Sequence, residues 1–175
     1  MSVHFYGDET KENGFVLAAA VVQPCEVDDL RALMRTLKLP RQVRIHFTSE
    51  SDPRRTMIIG RLAQAKVQAV IYDARAITDP KRARQAAVAR LADDAAKMGA
   101  ARIVLEPDGP AVDLDKLTIR DRLVRAGCLE TVSYVHLQAR EECLLSIPDA
   151  VAWCFGKGGS WYRAAQQLIV EEVEL

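Results

Sequence analysis

Two short apolar runs open the chain, Val3 to Asp8 and Phe15 to Val22, and the polar stretch between them ends in Asn13-Gly14. An Asn-Gly pair accepts the positive φ of a tight reversal, so the runs are expected to form an antiparallel hairpin. Val27, Leu30, Leu33, Met34 and Leu37 then recur at helical spacing and stop before Pro40, which predicts a helix from about Glu26 to Lys38. Val43 to Phe47 reads as a short strand. Asp52-Pro53 and Asp79-Pro80 each set a side-chain acceptor before a residue with a preset φ, a helix-start device. The first of these helices shows Met57, Ile58, Leu62 and Ala65 on one face. The second carries the stripe Val88, Leu91, Ala92, Ala95 and Met98 and closes at Gly99.

Further apolar segments lie between and after these helices. Val67 to Tyr72, ending at Asp73, and Ala101 to Leu105, followed by Glu106-Pro107-Asp108-Gly109, are too short for helices and read as buried strands. Leu117 to Arg125 is predicted helical up to Gly127, Val132 to Leu137 is a strand, and Pro148 opens a helix that Gly156-Lys157-Gly158-Gly159 ends. Ser160 is expected to cap a last amphipathic helix with Trp161, Ala164, Ala165, Leu168 and Ile169 on one side, leaving Val170 to Leu175 as a frayed tail. A hairpin followed by strands alternating with helices predicts an α/β fold: one mixed sheet with helices on both faces, in a ribonuclease H-like layout.

Composition narrows the picture. With 175 residues, 49% hydrophobic, the chain suits one domain over 1–175, and 24 basic against 24 acidic residues give no net field toward nucleic acid or an anionic membrane. No apolar run reaches the ~18 to 20 residues of a membrane span, and the first residues lack the basic-then-apolar pattern of a secretory signal, so a cytoplasmic protein is expected, with no membrane partner. Cys25, Cys128, Cys143 and Cys154 form no CxxC pair and read as free, mostly buried thiols. His4, His46 and His136 have no ligand spacing, which argues against zinc. Gly156 to Ser160 lacks phosphate-loop spacing and follows a helix, so it reads as a helix break. The Arg54-Arg55, Arg61, Lys81-Arg82, Arg84 and Arg120, Arg122, Arg125 positions either line a phosphate-binding face or form solvated helix exteriors.

The acids carry the candidate chemistry. Asp8 and Glu9 close the first strand, Asp73 closes another, Glu106 and Asp108 follow a third, and Asp149 interrupts the apolar stretch Leu144 to Phe155. A carboxylate among Ile147, Val151 and Trp153 is costly to bury without a cation or hydrogen-bond donors, although first-turn amides of its own helix are one such source. Carboxylates gathered from separate strand and helix ends repel one another unless a hard cation lies between them, and Mg²⁺ or Mn²⁺ suits oxygen ligands. A pair of such ions supports phosphodiester hydrolysis.

The segments Phe5-Tyr6-Gly7-Asp8-Glu9-Thr10, Phe15 to Val22 and Leu145 to Trp153 resemble a large bacterial family defined as a domain of unknown function, numbered three thousand eight hundred, a branch of the ribonuclease H-like superfamily. The resemblance implies that Asp8 and Glu9 match the family's first acids, Glu106 its middle-strand acid, Asp149 its helix Asp, and His46 a His after the first helix. Thr10 stands for the usual Ser, Glu106 for Asp, and Ser146-Ile147-Pro148 for a Gln-containing lead. The implied site binds divalent metal through Asp8, Glu106 and Asp149, with Glu9 as a fourth catalytic acid and Asp73 and Asp108 as alternative middle acids. Three functions stay open: a metal-dependent nuclease, a non-catalytic binding or assembly module on the same fold, and a small phosphate-ester hydrolase.

Overall fold

The computed structural model describes residues 2–175. Its centre is a six-stranded mixed sheet in the order β5-β4-β1-β2-β3-β6. The expected hairpin is β1 (Val3–Thr10) and β2 (Val16–Val22), antiparallel, with Asp8 opposite Ala18. Its turn uses the predicted pair: Asn13 and Gly14 sit at φ 64° and 104°, where an Asn or Gly costs least. β3 (Gln68–Asp73) runs antiparallel to β2, whereas β4 (Ala100–Leu105) lies parallel to β1 and β5 (Ser133–His136) parallel to β4.

Two apolar cores lie on opposite faces because strand side chains alternate. Tyr6, Val16, Ala18, Ala20 and Val104 face the helices α1 (Val27–Leu37), α2 (Asp52–Gln64) and α5 (Ser146–Lys157). Phe5, Leu17, Ala19, Ile103 and Leu105 face α3 (Pro80–Lys97) and α4 (Val112–Arg125). Asp79 caps α3, its side chain accepting the Arg82 amide at 2.9 Å, as the Asp-Pro device predicts. At the equivalent Asp52-Pro53 the cap position is Ser51 and no side chain bonds the helix start.

The structure corrects several expectations. Val43 to Phe47 is not a strand; it is an irregular segment running into a 3-10 turn at Phe47–Ser49. The segment joins no strand of the sheet, and α5 meets its backbone groups instead: Ser146 Oγ donates to Ile45 O (2.9 Å) and Asp149 Oδ2 accepts the Phe47 amide (2.8 Å). The final residues are not frayed. Ile169–Glu174 form β6, parallel to β3, with Val173 buried and the Leu175 amide donating to Asp73 O. Exposed acids along β6 suit an edge strand. The last helix, α6 (Gly159–Ala165), has Gly158 rather than Ser160 at its cap position and ends before Ile169. α4 starts at Val112, five residues before the predicted start. All four cysteines are free, but only Cys154 is buried; Cys25 is exposed. No described helix is long and apolar enough to cross a membrane.

Candidate functional site

β1 ends at the middle of the sheet, flanked by β2 and β4, and the Glu106 amide donates to Gly7 O at 3.0 Å, which sets Glu106 beside Asp8. On the opposite face Gly7 leaves room for Leu105: an added Cβ would lie 2.6 Å from the end of its side chain. Alternation then separates the acids. Asp8 has the parity of Tyr6 and faces α5; Glu106 has the parity of Val104 and faces the same way. Asp149, the fourth residue of α5, comes to that face from above. Asp8, Glu106 and Asp149, the three acids expected to hold metal, therefore converge on one face at the carboxyl ends of β1 and β4.

Their environment leaves them short of positive charge. Asp8 is buried, accepts only the Glu9 amide at 2.8 Å, and has its pKa pushed up to about 9 by burial, then by Asp149, Glu9 and Glu106. Burial also pushes Asp149 up, against the Phe47 amide, His46 and Arg44. Burial raises Glu106, opposed chiefly by Arg44, whose guanidinium donates to Oε1 at 3.1 Å. Glu106 Oε2 is buried without any hydrogen-bond partner. His46 lies beside this group, its ring 3.4 Å from Ser49 Oγ.

Glu9 goes to the other face. Arg84, from α3, lies 3.0 Å from its carboxylate and 3.6 Å from Asp108, and Lys11 reaches Asp108 at 2.7 Å. The same guanidinium donates to both oxygens of the buried Asp115 (3.0 and 2.7 Å), which His136 also contacts at 3.1 Å. Asp115 is held below its usual range: burial would raise it, but His136 and Arg84 outweigh that. Asp73 is distant from both groups and is matched by Arg75 at 2.5 and 2.8 Å. Of the three candidate middle acids, Glu106 is the one set beside Asp8, while Asp73 pairs with Arg75 and Asp108 with Lys11 and Arg84.

Sequence reasoning missed the Arg84–Asp115–His136 network, because Arg84 lies in a polar run that reads as a solvated face and is in fact 5% exposed. The signal available was the apolar neighbours Ala83, Ala87 and Val88, which put Arg84 near a buried stripe. Arg54 and Arg55 are not a free phosphate face either. Arg54 donates to Glu50 and Leu37 O, and Arg55 donates to Phe47 O and lies 4.3 Å over the Trp153 ring. Trp153 and Trp161 pack edge to face at 5.5 Å, as core residues.

The residues fit a hard divalent cation in kind: three oxygen donors on one face, two of them nine-tenths buried or nearly so, and one orphaned carboxylate oxygen. They do not close into a ready ligand set. Among the described residues no three His, Cys, Asp or Glu side chains are grouped tightly enough to hold a metal ion. No protein-family model matches the chain, and no curated protein matches it.

Proposed function

We propose that the chain is a metal-dependent phosphodiester hydrolase acting on nucleic acid, with Asp8, Glu106 and Asp149 as the metal-holding carboxylates. The observation that carries this reading is the convergence of three under-neutralised carboxylates on one face, with Asp8 buried among like charges and Glu106 Oε2 without a partner. Such an arrangement is costly unless a cation completes it. The antiparallel set β1, β2 and β3, with β4 and β5 added parallel beside β1, agrees with the ribonuclease H-like layout that the sequence resemblance implies. Mg²⁺ or Mn²⁺ bound there would supply an activated water and stabilise the leaving oxygen.

The chain's own residues do the rest. The Phe47 amide fixes one oxygen of Asp149 and so aims the other, while the Glu9 amide does the same for Asp8. Arg44 holds Glu106 and offers a positive charge beside the site for a phosphate oxygen. Glu9, tied to Arg84, serves as a support and not as a fourth catalytic acid.

The open ligand set and the Arg44–Glu106 pair favour one second reading, a binding or assembly module that keeps the fold without the chemistry. Purified protein with Mn²⁺ and single-stranded DNA, duplex DNA, RNA and hybrid substrates separates the two. The hydrolase reading expects cleavage of at least one substrate, abolished by chelator and reduced on the order of a hundredfold or more by Asp8→Asn. No cleavage of any substrate, or cleavage unchanged in Asp8→Asn, contradicts it.

A further inference from the structure

Next to the three carboxylates lies a cavity of about 360 Å³, walled by α1, the 43–45 segment and the turn 139–143. Its size is that of a small-ligand site and exceeds what a lone ion needs. Arg31, Arg35, Lys38, Arg44 and Arg140 all line it. Arg31 is committed to Glu142 at 2.6 Å and Arg44 to Glu106 at 3.1 Å. Arg35, Lys38 and Arg140 form no ion pair among the described residues, so three unmatched cations from two separate elements border one concavity. Of the three carboxylates that line the cavity against its five cations, Glu142 is spent on Arg31, Asp28 also lies 3.5 Å from Arg31, and Glu141 accepts the Gln138 amide at 2.9 Å. The carboxyl end of α1 accounts for a cation at Arg35 through the helix dipole, but not for Arg140 arriving from the opposite wall.

We propose that this cavity is a phosphate subsite, in which Arg35, Lys38 and Arg140 seat a phosphate group of a nucleic-acid strand one step away from the carboxylates. The proposal rests on the hydrolase reading for the identity of the ligand and on the cavity itself for its anionic chemistry. Two contacts connect the cavity to the site. Arg44 spans both, lining the cavity while bonded to Glu106, and Ser146 lines it one turn before Asp149. Carboxylates by themselves repel a phosphodiester, so a strand is held there by cations beside them. The chain's zero net charge gives no other general attraction, which makes a local cluster the binding determinant.

The test measures binding of a fluorescent single-stranded oligonucleotide by anisotropy, in chelator, so that neither metal nor cleavage enters. Wild type is compared with Arg35→Ala/Lys38→Ala/Arg140→Ala, whose three side chains are exposed and unpaired, and with a control that removes equal charge from the α3–α4 face, Lys97→Ala/Lys116→Ala/Arg120→Ala. Melting temperatures establish that all three proteins are folded. The proposal expects affinity about tenfold or more weaker in the first variant, a salt slope lower by roughly 0.7 to 1.4 (one to two phosphate contacts on a single strand), and binding within about twofold of wild type in the control. Pyrophosphate competes with the oligonucleotide on wild type and on the control, and not on the first variant. A 5′-phosphate that tightens wild-type binding identifies a terminal phosphate as the occupant; equal binding of 5′-hydroxyl and 5′-phosphate strands identifies an internal phosphodiester. Equal losses in both triple variants, or none in the first, overturn the subsite. Binding lost in the first variant alongside wild type that cuts nothing in Mn²⁺ overturns the hydrolase reading and leaves the subsite standing. Cleavage with unaltered binding does the reverse.

Discussion

Asp8 and Glu9 are adjacent in the chain and burial raises both carboxyls, but Glu9 has the Arg84 guanidinium opposing that shift whereas Asp8 has chiefly like charges beside it. On the α5 face Asp8 is buried with Glu106 and Asp149 nearby and only Arg44 reaching in, so burial pushes its carboxyl up to about 9. On the α3 face Glu9, Asp108 and Asp115 are matched by Arg84, Lys11 and His136, and Asp115 is held low. Both clusters bring together three carboxylates drawn from strand ends and a helix. The difference is in the counter-charge: a carboxylate cluster that already holds its guanidinium contributes to the fold, whereas one left without such a partner retains the capacity to take a cation.

The largest expected effect breaks the matched side. Arg84→Met removes the one guanidinium shared by Glu9 and Asp115 and leaves Asp115, 1% exposed, with His136 as its remaining partner. Stability in denaturant should fall by about 3–5 kcal/mol. A change below about 1 kcal/mol would mean that this network is not the structural half of the pair.

The unmatched side should respond with the opposite sign. In chelator at pH 8, Asp8→Asn should be more stable than wild type by on the order of 1–2 kcal/mol, since it removes a group that the fold forces to stay protonated. The pH dependence follows from the raised pKa. The folded chain holds the Asp8 proton more tightly than the unfolded chain does, so wild-type stability is fully present below the ordinary carboxylate pKa and is lost as pH rises toward about 9. The advantage of Asp8→Asn should therefore vanish near pH 4. Thermal melts across pH check this, and an Asp8→Asn protein less stable than wild type at pH 8 in chelator contradicts it.

Asp115 sets the contrary acid limb. Its pKa is depressed by His136 and Arg84 despite burial, so its contribution is present above the ordinary carboxylate pKa, about 3.9, and is lost as pH falls through the lowered value. Asp115→Asn should be less stable than wild type at pH 6, and the two should converge in strong acid. The smallest effect belongs to Lys11→Ala. Its side chain is 56% exposed, and losing its bond to Asp108 should cost about 0.2–1 kcal/mol, less at high salt.

Much of the frame was legible in the sequence, because it depends on local rules: the Asn13-Gly14 turn, the Asp79 cap and the helical stripe of α3 needed only neighbouring residues. What failed depended on distant partners. Val43 to Phe47 has strand composition, but Asp149 and Ser146, about a hundred residues away, bind its backbone. Ile169–Glu174 looks like an acidic tail until β3 offers it an edge. The candidate site shows the same division. Asp8 and Glu106 stand out as acids ending apolar segments and Asp149 as an acid interrupting one, while the separation of Glu9 from Asp8 follows from strand alternation together with the position of Arg84, and the latter is a matter of tertiary packing. The pairing of Asp73 with Arg75 is within local reach, two residues apart, and supplies Asp73 with its own counter-charge.

The most direct test of the central claim is the melting temperature in chelator and in saturating Mn²⁺ for wild type, Asp8→Asn, Asp149→Asn and Glu9→Gln. Each Asn keeps an oxygen to accept the Glu9 or Phe47 amide, so the local backbone is preserved. At a metal concentration 100 times the dissociation constant the wild type should gain about 2.7 kcal/mol, roughly 5–10 °C for a domain of this size. That gain should be lost in Asp8→Asn and Asp149→Asn and kept in Glu9→Gln, whose carboxylate belongs to the other face. A wild type that melts at the same temperature in Mn²⁺ and in chelator, or a gain that Glu9→Gln abolishes and Asp8→Asn retains, contradicts the account.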